Sequence, residues 1–278
     1  MSGEPAGPAG HGGARGEPAG PAGHGAREEP AGRPGRGARA DGRLRLVLWD
    51  VDGTLVDAAR LGRDAFLEVF ERLVGRPAVE MVPFAGRTDL EIALDMLEAA
   101  GVEDPEAMLD SFEDELVAAM AARLDELRRR GRALPGAKDA LARLHEEPDV
   151  VQSLLTGNVE RNARLKLQPF GLLEWVELRC GAYGSDHRVR GELVAIARAR
   201  TERARGVAPA PGDVVLVGDT PLDVAAALEA GARAVGVATG PYDEAALAEA
   251  GAHAVLPDLT DTGAVVRAVL GTADSPAP

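Results

Sequence analysis

Two aspartates, Asp50 and Asp52, stand two residues apart directly after an apolar run that ends at Trp49. Side chains on an extended chain repeat every second residue, so both carboxylates point the same way. A continuous apolar run is typical of a strand buried in a parallel sheet, and such sheets bind ligands beyond the carboxyl ends of their strands. Two carboxylates this close attract a cation, and an all-oxygen site suits Mg²⁺. An ordinary turn at Asp52-Gly53 is the alternative interpretation.

Polar groups also follow two later apolar runs. The run from Val150 to Leu155 leads into Thr156-Gly157-Asn158, which offers a hydroxyl and backbone N–H groups at the start of a helix and so suits a phosphate or another anion. Thr156 could instead cap that helix. The run from Val214 to Val217 leads into a segment containing Asp219 and Asp223, which places two more acids at the same sheet edge unless this is a solvated turn.

Strand and helix patterns alternate from Leu44 onward. The predicted strands are Leu44–Trp49, Val150–Leu155, Val176–Cys180, Val214–Val217, Ala234–Ala238 and Ala254–Leu256. The predicted helices that follow are Ala137–Glu146, Glu160–Gln168, Glu192–Arg205, Leu222–Ala230 and Glu244–Ala250. This alternation predicts an α/β fold, a parallel sheet with helices on both faces.

One interval, between Asp57 and Pro135, contains helical patterns only. Its predicted helices are Asp64–Val74, Asp89–Ala100 and Pro105–Arg130. Because the insert follows the Asp50 strand, we expect residues 58–134 to form a cap over a core made of residues 43–57 and 135–271. A cap of this kind excludes water from a reacting centre, whereas ordinary helical elaboration is the alternative.

The composition limits the partners and the location of the protein. The net charge of -14 argues against nucleic-acid binding, which needs a basic face. A single cysteine, Cys180, excludes an internal disulfide, and no apolar run is long enough to span a membrane. The absence of a hydrophobic signal segment predicts a cytoplasmic protein. Residues 1–42 are rich in Gly, Pro and Ala and are predicted to be a disordered tail, with a flexible end at 272–278.

The pieces described so far, from Leu44 to about Leu270, resemble the haloacid dehalogenase superfamily of aspartyl phosphotransferases. The motifs that carry the resemblance are Asp50-Val51-Asp52-Gly53-Thr54, Thr156-Gly157-Asn158 and the segment from Gly218 to Asp223. The helical insert resembles the small cap of phosphoglycolate phosphatase-like and β-phosphoglucomutase-like members. The resemblance implies a Rossmann-like, doubly wound core and a Mg²⁺-dependent mechanism.

The resemblance also implies roles for the acids. Asp50 would be the nucleophile that becomes an aspartyl phosphate, and it would bind the metal. Asp52 would protonate the leaving oxygen and then activate water, while its backbone carbonyl binds Mg²⁺. Asp219 would hold the metal, with Asp223 in support.

The substrate contacts are implied in the same way. Thr156 and the N–H groups of Gly157 and Asn158 would bind the phosphoryl oxygens. Arg87, in the cap loop Phe84–Asp89, is a candidate substrate contact because it puts a guanidinium just before a helix. The alternative is that Thr88 or Asp89 simply caps this helix and Arg87 lies in solvent.

The family has a further motif after the third strand, called the third motif, in which members carry a lysine near the start of the next helix. This chain departs from the family there. The segment Gly184–Glu192 has no lysine, so Arg190 is the expected cation and Arg188 the second choice. Lys166 is the remaining candidate. It lies about seven residues into its helix, roughly 10 Å beyond the sheet edge, and is expected to extend along the helix surface.

The expected function is hydrolysis of a small phosphate monoester, with phosphoglycolate the first choice and a sugar phosphate the second. An acid at Asp52 fits phosphatases and mutases rather than dehalogenases. The phosphonate-cleaving branch uses a cap lysine, but the two lysines of this chain, Lys138 and Lys166, lie outside the cap. A sugar-phosphate mutase on the same core and a non-catalytic phosphate-binding protein remain as alternatives. The expected partner is a small phosphorylated metabolite, and no pattern specifies an oligomeric state.

Overall fold

Six parallel strands form the central sheet of the protein, whose computed structural model describes residues 43–78 and 82–271. The strands of the described chain are β1 (Arg45–Trp49), β2 (Val56–Asp57), β3 (Arg132–Ala133), β4 (Val150–Thr156), β5 (Ala182–Tyr183), β6 (Val214–Gly218), β7 (Arg233–Val237) and β8 (Ala254–Leu256). The sheet has the order β5-β4-β1-β6-β7-β8, and β2 and β3 pair apart from it as an antiparallel ribbon. The predicted tail and C-terminal end lie outside the described residues.

The register of the sheet brings the ends of its central strands to one level. Trp49, the last residue of β1, lies opposite Leu154 on β4 and Val217 on β6. Asp50 therefore leaves the sheet beside the ends of both neighbours. The parallel sheet with the first motif at its centre is confirmed.

Helices cover both faces of this sheet. The helices of the described chain are α1 (Leu61–Val74), α2 (Asp89–Ala99), α3 (Leu109–Ala122), α4 (Leu124–Arg130), α5 (Ala137–His145), α6 (Glu160–Leu167), α7 (Arg190–Arg205), α8 (Pro221–Glu229), α9 (Glu244–Glu249) and α10 (Thr262–Leu270), of which those after α4 belong to the core. Along β1, Val47 and Trp49 face one layer of the core and Leu46 and Leu48 face the other. Both faces are thus buried, which explains the unbroken apolar run and confirms the doubly wound α/β fold. None of the described helices is long and apolar enough to cross a lipid bilayer.

A polar side chain lies inside the core, and its hydrogen-bonding groups have partners there. Gln152 on β4 is buried, accepts a hydrogen bond from Trp49 Nε1 at 3.2 Å and donates from Nε2 to the Leu141 carbonyl at 2.8 Å. A buried tryptophan N–H without a partner would cost about 1–3 kcal/mol, so the glutamine stabilises the packing of β1 against β4 and α5.

Helices α1 to α4 lie between β1 and β4 in the chain, where the cap was predicted, and they have an apolar core of their own. Phe66, Phe112 and Met96 are buried at its centre. The ribbon of β2 and β3 ties the two connections to the sheet together. At the first connection Ala59 and Arg60 have φ angles of 52° and 67°. The domain limits at residues 58 and 134 remain predictions.

The predicted strand Val176–Cys180 was wrong. The chain there forms short 3₁₀ turns at Leu172–Trp175 and Leu178–Cys180, and the edge strand β5 begins two residues later. The amide of Glu177 does donate to the Gln152 carbonyl of β4 at 2.8 Å, but Cys180 N turns back to Glu177 O at 2.9 Å. One ladder bond followed by a local turn is too little to make a strand.

The predicted cap helix Pro105–Arg130 was also wrong as a single element. A 3₁₀ turn at Glu106–Met108 precedes α3, and Arg123 separates α3 from α4. Arg123 leaves the helical conformation with φ −97° and ψ 5°, and its guanidinium donates to the Ala119 carbonyl and pairs with Glu68 of α1. Helix α1 begins three residues earlier than predicted, and α10 was not among the predicted helices.

Replacing Gly136 with alanine is expected to destabilise the fold by about 3 kcal/mol. Gly136 precedes α5 with φ +78°, and a Cβ there would lie 2.0 Å from the Leu259 carbonyl oxygen, so both the backbone angle and the space forbid a side chain. Chemical denaturation measures the loss. Gly212→Ala is the matched control, since nothing lies within 4 Å of its Cβ position. Equal stability of the two variants would contradict the packing of α5 described above.

Candidate active site

Three buried carboxylates converge at the carboxyl edge of the sheet. Asp50 follows β1, Asp219 follows β6 and Asp223 lies in the first turn of α8, and their oxygens all lie within 4.8 Å of one another. The register of β1 with β6 and the short turn into α8 bring them together. Three hard oxygen donors in one place fit a divalent cation. We refer to these three residues as the acid cluster.

The surroundings of Asp219 leave space for its carboxylate and little else. Thr54 Oγ1 donates to Asp219 Oδ1 at 3.2 Å. A Cβ on Gly53 or Gly240 would lie 2.4 Å or 1.7 Å from Asp219 Oδ2. Glycine is therefore required on both sides of this side chain, and Gly53 also has a positive φ of +80°.

The acid cluster carries more negative charge than its protein surroundings balance. Burial, followed by the charges of Asp50 and Asp223, raises the pKa of Asp219 to about 9. Burial also raises the pKa of Asp50 to about 6, although the Arg190 guanidinium opposes this shift. A cation bound among these carboxylates would oppose both shifts, because it stabilises the charged form of each.

Arg190 is the cation that reaches the acid cluster. It is the first residue of α7 and is buried, and its Nη2 donates to Asp50 Oδ1 at 3.0 Å and closely contacts Asp223 Oδ1. Burial disfavours the charge on Arg190, but Asp223 and Asp50 outweigh it and raise the pKa of the guanidinium. Arg188, the second candidate, points elsewhere and pairs with Glu106 of the cap at 2.9 Å.

The expectation that Lys166 extends along a helix surface was wrong. Lys166 is only 5% exposed, and its Nζ donates to Asp52 Oδ2 and to Asn158 Oδ1, both at 2.6 Å. Side chains on a helix lean toward its N-terminus, so the four-carbon stem brings the ammonium back over the turns that separate Lys166 from the sheet edge. Gly62 of α1 leaves room, because a Cβ there would lie 3.0 Å from Nζ.

Asp52 stands beside the acid cluster but outside it, held by its own partners. Asn158 Nδ2 donates to Asp52 Oδ2 at 2.7 Å and to Thr156 Oγ1 at 2.8 Å. Thr156 does not cap the following helix, because Val159 occupies the N-cap position of α6. The Thr156-Gly157-Asn158 motif and Lys166 together therefore orient the Asp52 carboxylate.

The loop before α2 docks the cap onto the core at this site. Asp89 N donates to the Gly157 carbonyl at 2.8 Å, and Asp89 Oδ2 accepts from Val159 N at 3.1 Å. Thr88 Oγ1 donates to the Arg188 carbonyl at 2.9 Å. Burial raises the pKa of Asp89 to about 6. The cap thus contacts both the loop between β4 and α6 and the loop that precedes α7.

Arg87 lines the cavity but its guanidinium is already paired. It contacts Asp95 Oδ2 at 2.6 Å and Glu91 Oε1 at 2.9 Å, both on α2. Thr88 is the N-cap of α2 and accepts from Glu91 N at 3.1 Å, as the alternative interpretation predicted. Arg87 itself is mostly buried rather than solvated. A substrate contact by Arg87 remains a prediction.

A cavity of about 430 Å³ lies between cap and core and opens onto these groups. Its core side carries the candidate catalytic residues, including Asp50, Asp52, Thr156 and Arg190. Its cap side combines apolar side chains with charged ones: Phe66, Phe84, Ile92 and Leu116 with Arg60, Arg63, Arg87, Asp89 and Arg132. This volume suits a small metabolite.

Sequence reasoning missed three contacts of the site: those of Thr54, Asp89 and Lys166. One signal was present for Lys166, since the chain has only two lysines, and a residue type so rarely used is informative where it occurs. The contacts of Thr54 and Asp89 depend on chain crossings that leave no local pattern.

Replacing Asp219 with asparagine is expected to stabilise the metal-free protein by about 5 °C at pH 8 and to remove most of its stabilisation by Mg²⁺. The native carboxyl has a pKa of about 9 against 3.8 for an ordinary aspartate, so the native state binds the proton more tightly. The free energy of unfolding therefore falls as pH rises between these values, and asparagine removes that loss.

Melting temperatures at pH 5 and pH 8, with and without Mg²⁺, measure both effects. Asp64→Asn, on the exposed side of α1, is the matched control and should leave the Mg²⁺ effect unchanged. An Asp219→Asn protein that Mg²⁺ stabilises as much as the parent would place the metal elsewhere.

Solved structures share this fold. A predicted phosphatase from Clostridium acetobutylicum aligns with a TM-score of 0.61 at 16% identity, over 83% of this chain and 100% of that one. A predicted phosphoglycolate phosphatase from Haemophilus somnus gives 0.57 at 19% identity, over 78% and 96%. A putative β-phosphoglucomutase from Thermotoga maritima gives 0.52 at 24% identity, over 81% and 100%.

A search of curated proteins found no match. The sequence from residue 47 to residue 228 matches the family described as haloacid dehalogenase-like hydrolase. The matched stretch is more than half of the chain and runs from the strand before Asp50 through the helix that contains Asp223. This chain therefore belongs to the haloacid dehalogenase-like hydrolase family.

Proposed function

We propose that the protein is a Mg²⁺-dependent phosphatase that hydrolyses a small phosphate monoester through an aspartyl-phosphate intermediate. The observation that carries the proposal is the placement of Asp50, which belongs to the acid cluster, touches Arg190 and lies at the cavity. A nucleophilic carboxylate needs nearby positive charge before it can approach a phosphate dianion, and this arrangement supplies it.

In the first half-reaction an Asp50 oxygen attacks phosphorus and the bond to the leaving oxygen breaks. Asp52 gives its proton to that oxygen, so the product leaves as an alcohol. In the second half-reaction Asp52 takes a proton from water, which attacks the phosphorus, releases phosphate and restores Asp50. The separation of the two carboxylates supports this division, because Asp50 faces the acid cluster whereas Asp52 is held by Asn158 and Lys166.

The remaining groups stabilise charge. Mg²⁺ held by Asp50, Asp219 and Asp223 would neutralise the phosphoryl oxygens as charge builds on them. Arg190 bridges Asp50 and Asp223 and keeps both in position. Thr156, with the backbone N–H groups of Gly157 and Asn158, would bind phosphoryl oxygens at the other side of Asp50.

Phosphoglycolate is the first candidate substrate and a sugar phosphate the second. The cavity of about 430 Å³ supports a small substrate, and its position between cap and core supports a site that the cap partly covers. A phosphate-release screen over phosphoglycolate, sugar phosphates and nucleotides in the presence of Mg²⁺ tests the proposal. Absence of release over the whole panel would favour a phosphate-binding protein without catalysis.

A sugar-phosphate mutase is the second candidate, because the fold is shared with a structure titled a putative β-phosphoglucomutase. A mutase returns the phosphoryl group to its product, so it would convert one sugar phosphate into an isomer without releasing phosphate. Phosphorus NMR of a hexose 1-phosphate incubated with a bisphosphate activator separates the two reactions.

Asp50→Asn is expected to abolish phosphate release, by at least 10⁴-fold, and to leave the fold intact, because the amide keeps the shape but cannot act as the nucleophile. Steady-state kinetics and circular dichroism measure the two properties. Asp64→Asn is the control for the loss of one carboxylate at an exposed position. Substantial residual turnover in Asp50→Asn would remove Asp50 from the mechanism.

Arg190→Ala is expected to lower kcat several hundredfold, the order seen when one preorganised charge stabiliser is lost. Lys166→Met should cost about tenfold, because Asp52 then loses one of its two partners while Asn158 still holds it. Arg190→Lys tests whether charge alone suffices.

Lys138→Met is the matched control, since Lys138 is exposed and lies over the Trp175 ring away from the site. Wild-type kcat in Arg190→Ala, or a larger loss in Lys138→Met than in Lys166→Met, would overturn these assignments.

A further inference from the structure

Two of the cations that line the cavity have no carboxylate partner. The cavity is lined by six cationic side chains: Arg60, Arg63, Arg87, Arg132, Lys166 and Arg190. Four of them form ion pairs with acids, as Arg132 does with Asp57 at 2.6 Å. Within residues 43–78 and 82–271, Arg60 and Arg63 of the cap form none. Both lie at the start of the cap, next to the first connection from the core.

Arg63 is held in place without having its hydrogen bonds satisfied. Its guanidinium lies 5.4 Å from the centre of the Phe84 ring, and Phe84 packs edge-on against Phe66 at 5.1 Å. Its Nε is buried and has no hydrogen-bond partner in the described part of the chain. A ring face attracts the positive charge but accepts no N–H bond of ordinary strength. The ring contact therefore holds a cavity-lining guanidinium that forms no ion pair within the described residues, which suits it to bind an anion.

Because the protein as a whole is acidic, Arg60 and Arg63 are a local feature of the cavity. The chain carries a net charge of -14, and the acid cluster adds negative charge at the core side. The other two arginines of the cap wall, Arg87 and Arg132, are paired with acids, so Arg60 and Arg63 are not part of a general basic surface. A planar guanidinium fixed against an aromatic ring is suited to bind a carboxylate or phosphate through two parallel hydrogen bonds.

We propose that Arg63 binds a second anionic group of the substrate, a carboxylate or a further phosphate, remote from the phosphoryl group that is transferred at Asp50. Arg60, which is exposed and lines the same cavity, adds a second positive charge. The inference rests on the proposed phosphatase function and narrows its substrates. The expected substrates are small phosphorylated acids or bisphosphates. Phosphate esters of uncharged alcohols and sugars, which have no second anionic group, are poor substrates.

Matched substrate pairs test the inference and identify the anionic group. The pairs are phosphoglycolate with ethyl phosphate, for a carboxylate, and glucose 1,6-bisphosphate with glucose 1-phosphate, for a phosphate. The parent protein should show a kcat/KM at least tenfold higher for the anionic member of one pair. Arg63→Met, which keeps the apolar stem, should lower kcat/KM for that member about 10–100-fold and change the neutral member less than twofold.

Arg72→Met is the matched control, because Arg72 lies on the same helix, pairs with Glu115 and does not line the cavity. It should change neither member of either pair. Equal kcat/KM for both members of both pairs would overturn the inference. So would a preference for the anionic member that survives in Arg63→Met.

A binding measurement separates this inference from the proposed function. Calorimetric titration of Asp50→Asn protein with the same four compounds, in the presence of Mg²⁺, reports affinity without turnover. If the parent protein releases no phosphate from any compound, yet the anionic member binds at least tenfold tighter and Arg63→Met removes the difference, the proposed function fails and the inference stands. If the parent protein releases phosphate but the two members of each pair bind with equal affinity, the proposed function stands and the inference fails.

Discussion

The burial of like charges at one edge of the sheet is the constraint on which the site depends. Asp50, Asp219 and Asp223 lie within 4.8 Å of one another and away from water, an arrangement that repels itself. Burial first, and the neighbouring carboxylates after it, raise the pKa values of Asp50 and Asp219. The fold holds the three acids together only because each is fixed by separate backbone: the central strand, its neighbour and the first turn of a helix. A divalent cation bound to the same oxygens would offset the repulsion.

The cations that balance these acids are divided between two tasks. Arg190 bridges Asp50 and Asp223, and a guanidinium can do this because its planar fork presents several N–H donors to separate oxygens. Lys166 and Asn158 hold Asp52, which stays outside the acid cluster. A lysine at position 190 would offer a point charge with less directional contact. Asp50 and Asp52 are thereby held by different partners.

The cap is coupled to the site through backbone contacts as well as through its cavity wall. Thr88 and Asp89 bond to the loops that follow β4 and precede α7, so a movement of the cap would disturb the same loops that position Asn158 and Arg190. Gly157 is needed at this crossing, since a Cβ there would lie 1.9 Å from the Arg87 carbonyl oxygen. The cap and the site are therefore linked by direct backbone contacts.

The sequence by itself determined the sheet, its central strand and the positions of Asp50, Asp52, Asp219 and Asp223, because an apolar run that ends in acids is a local pattern with a fixed consequence in a parallel sheet. It also placed Arg190 at a helix start near the acids. It misplaced Lys166, the edge strand and the long cap helix. For Lys166 and the cap helix the deciding contacts join residues far apart in the chain, Lys166 with Asp52 and Arg123 with Glu68. For the edge strand, a local turn from Glu177 to Cys180 ends the pairing with β4. Periodicity records which face of an element is buried, but the reach of a long side chain and the partner it meets are decided only when the elements pack.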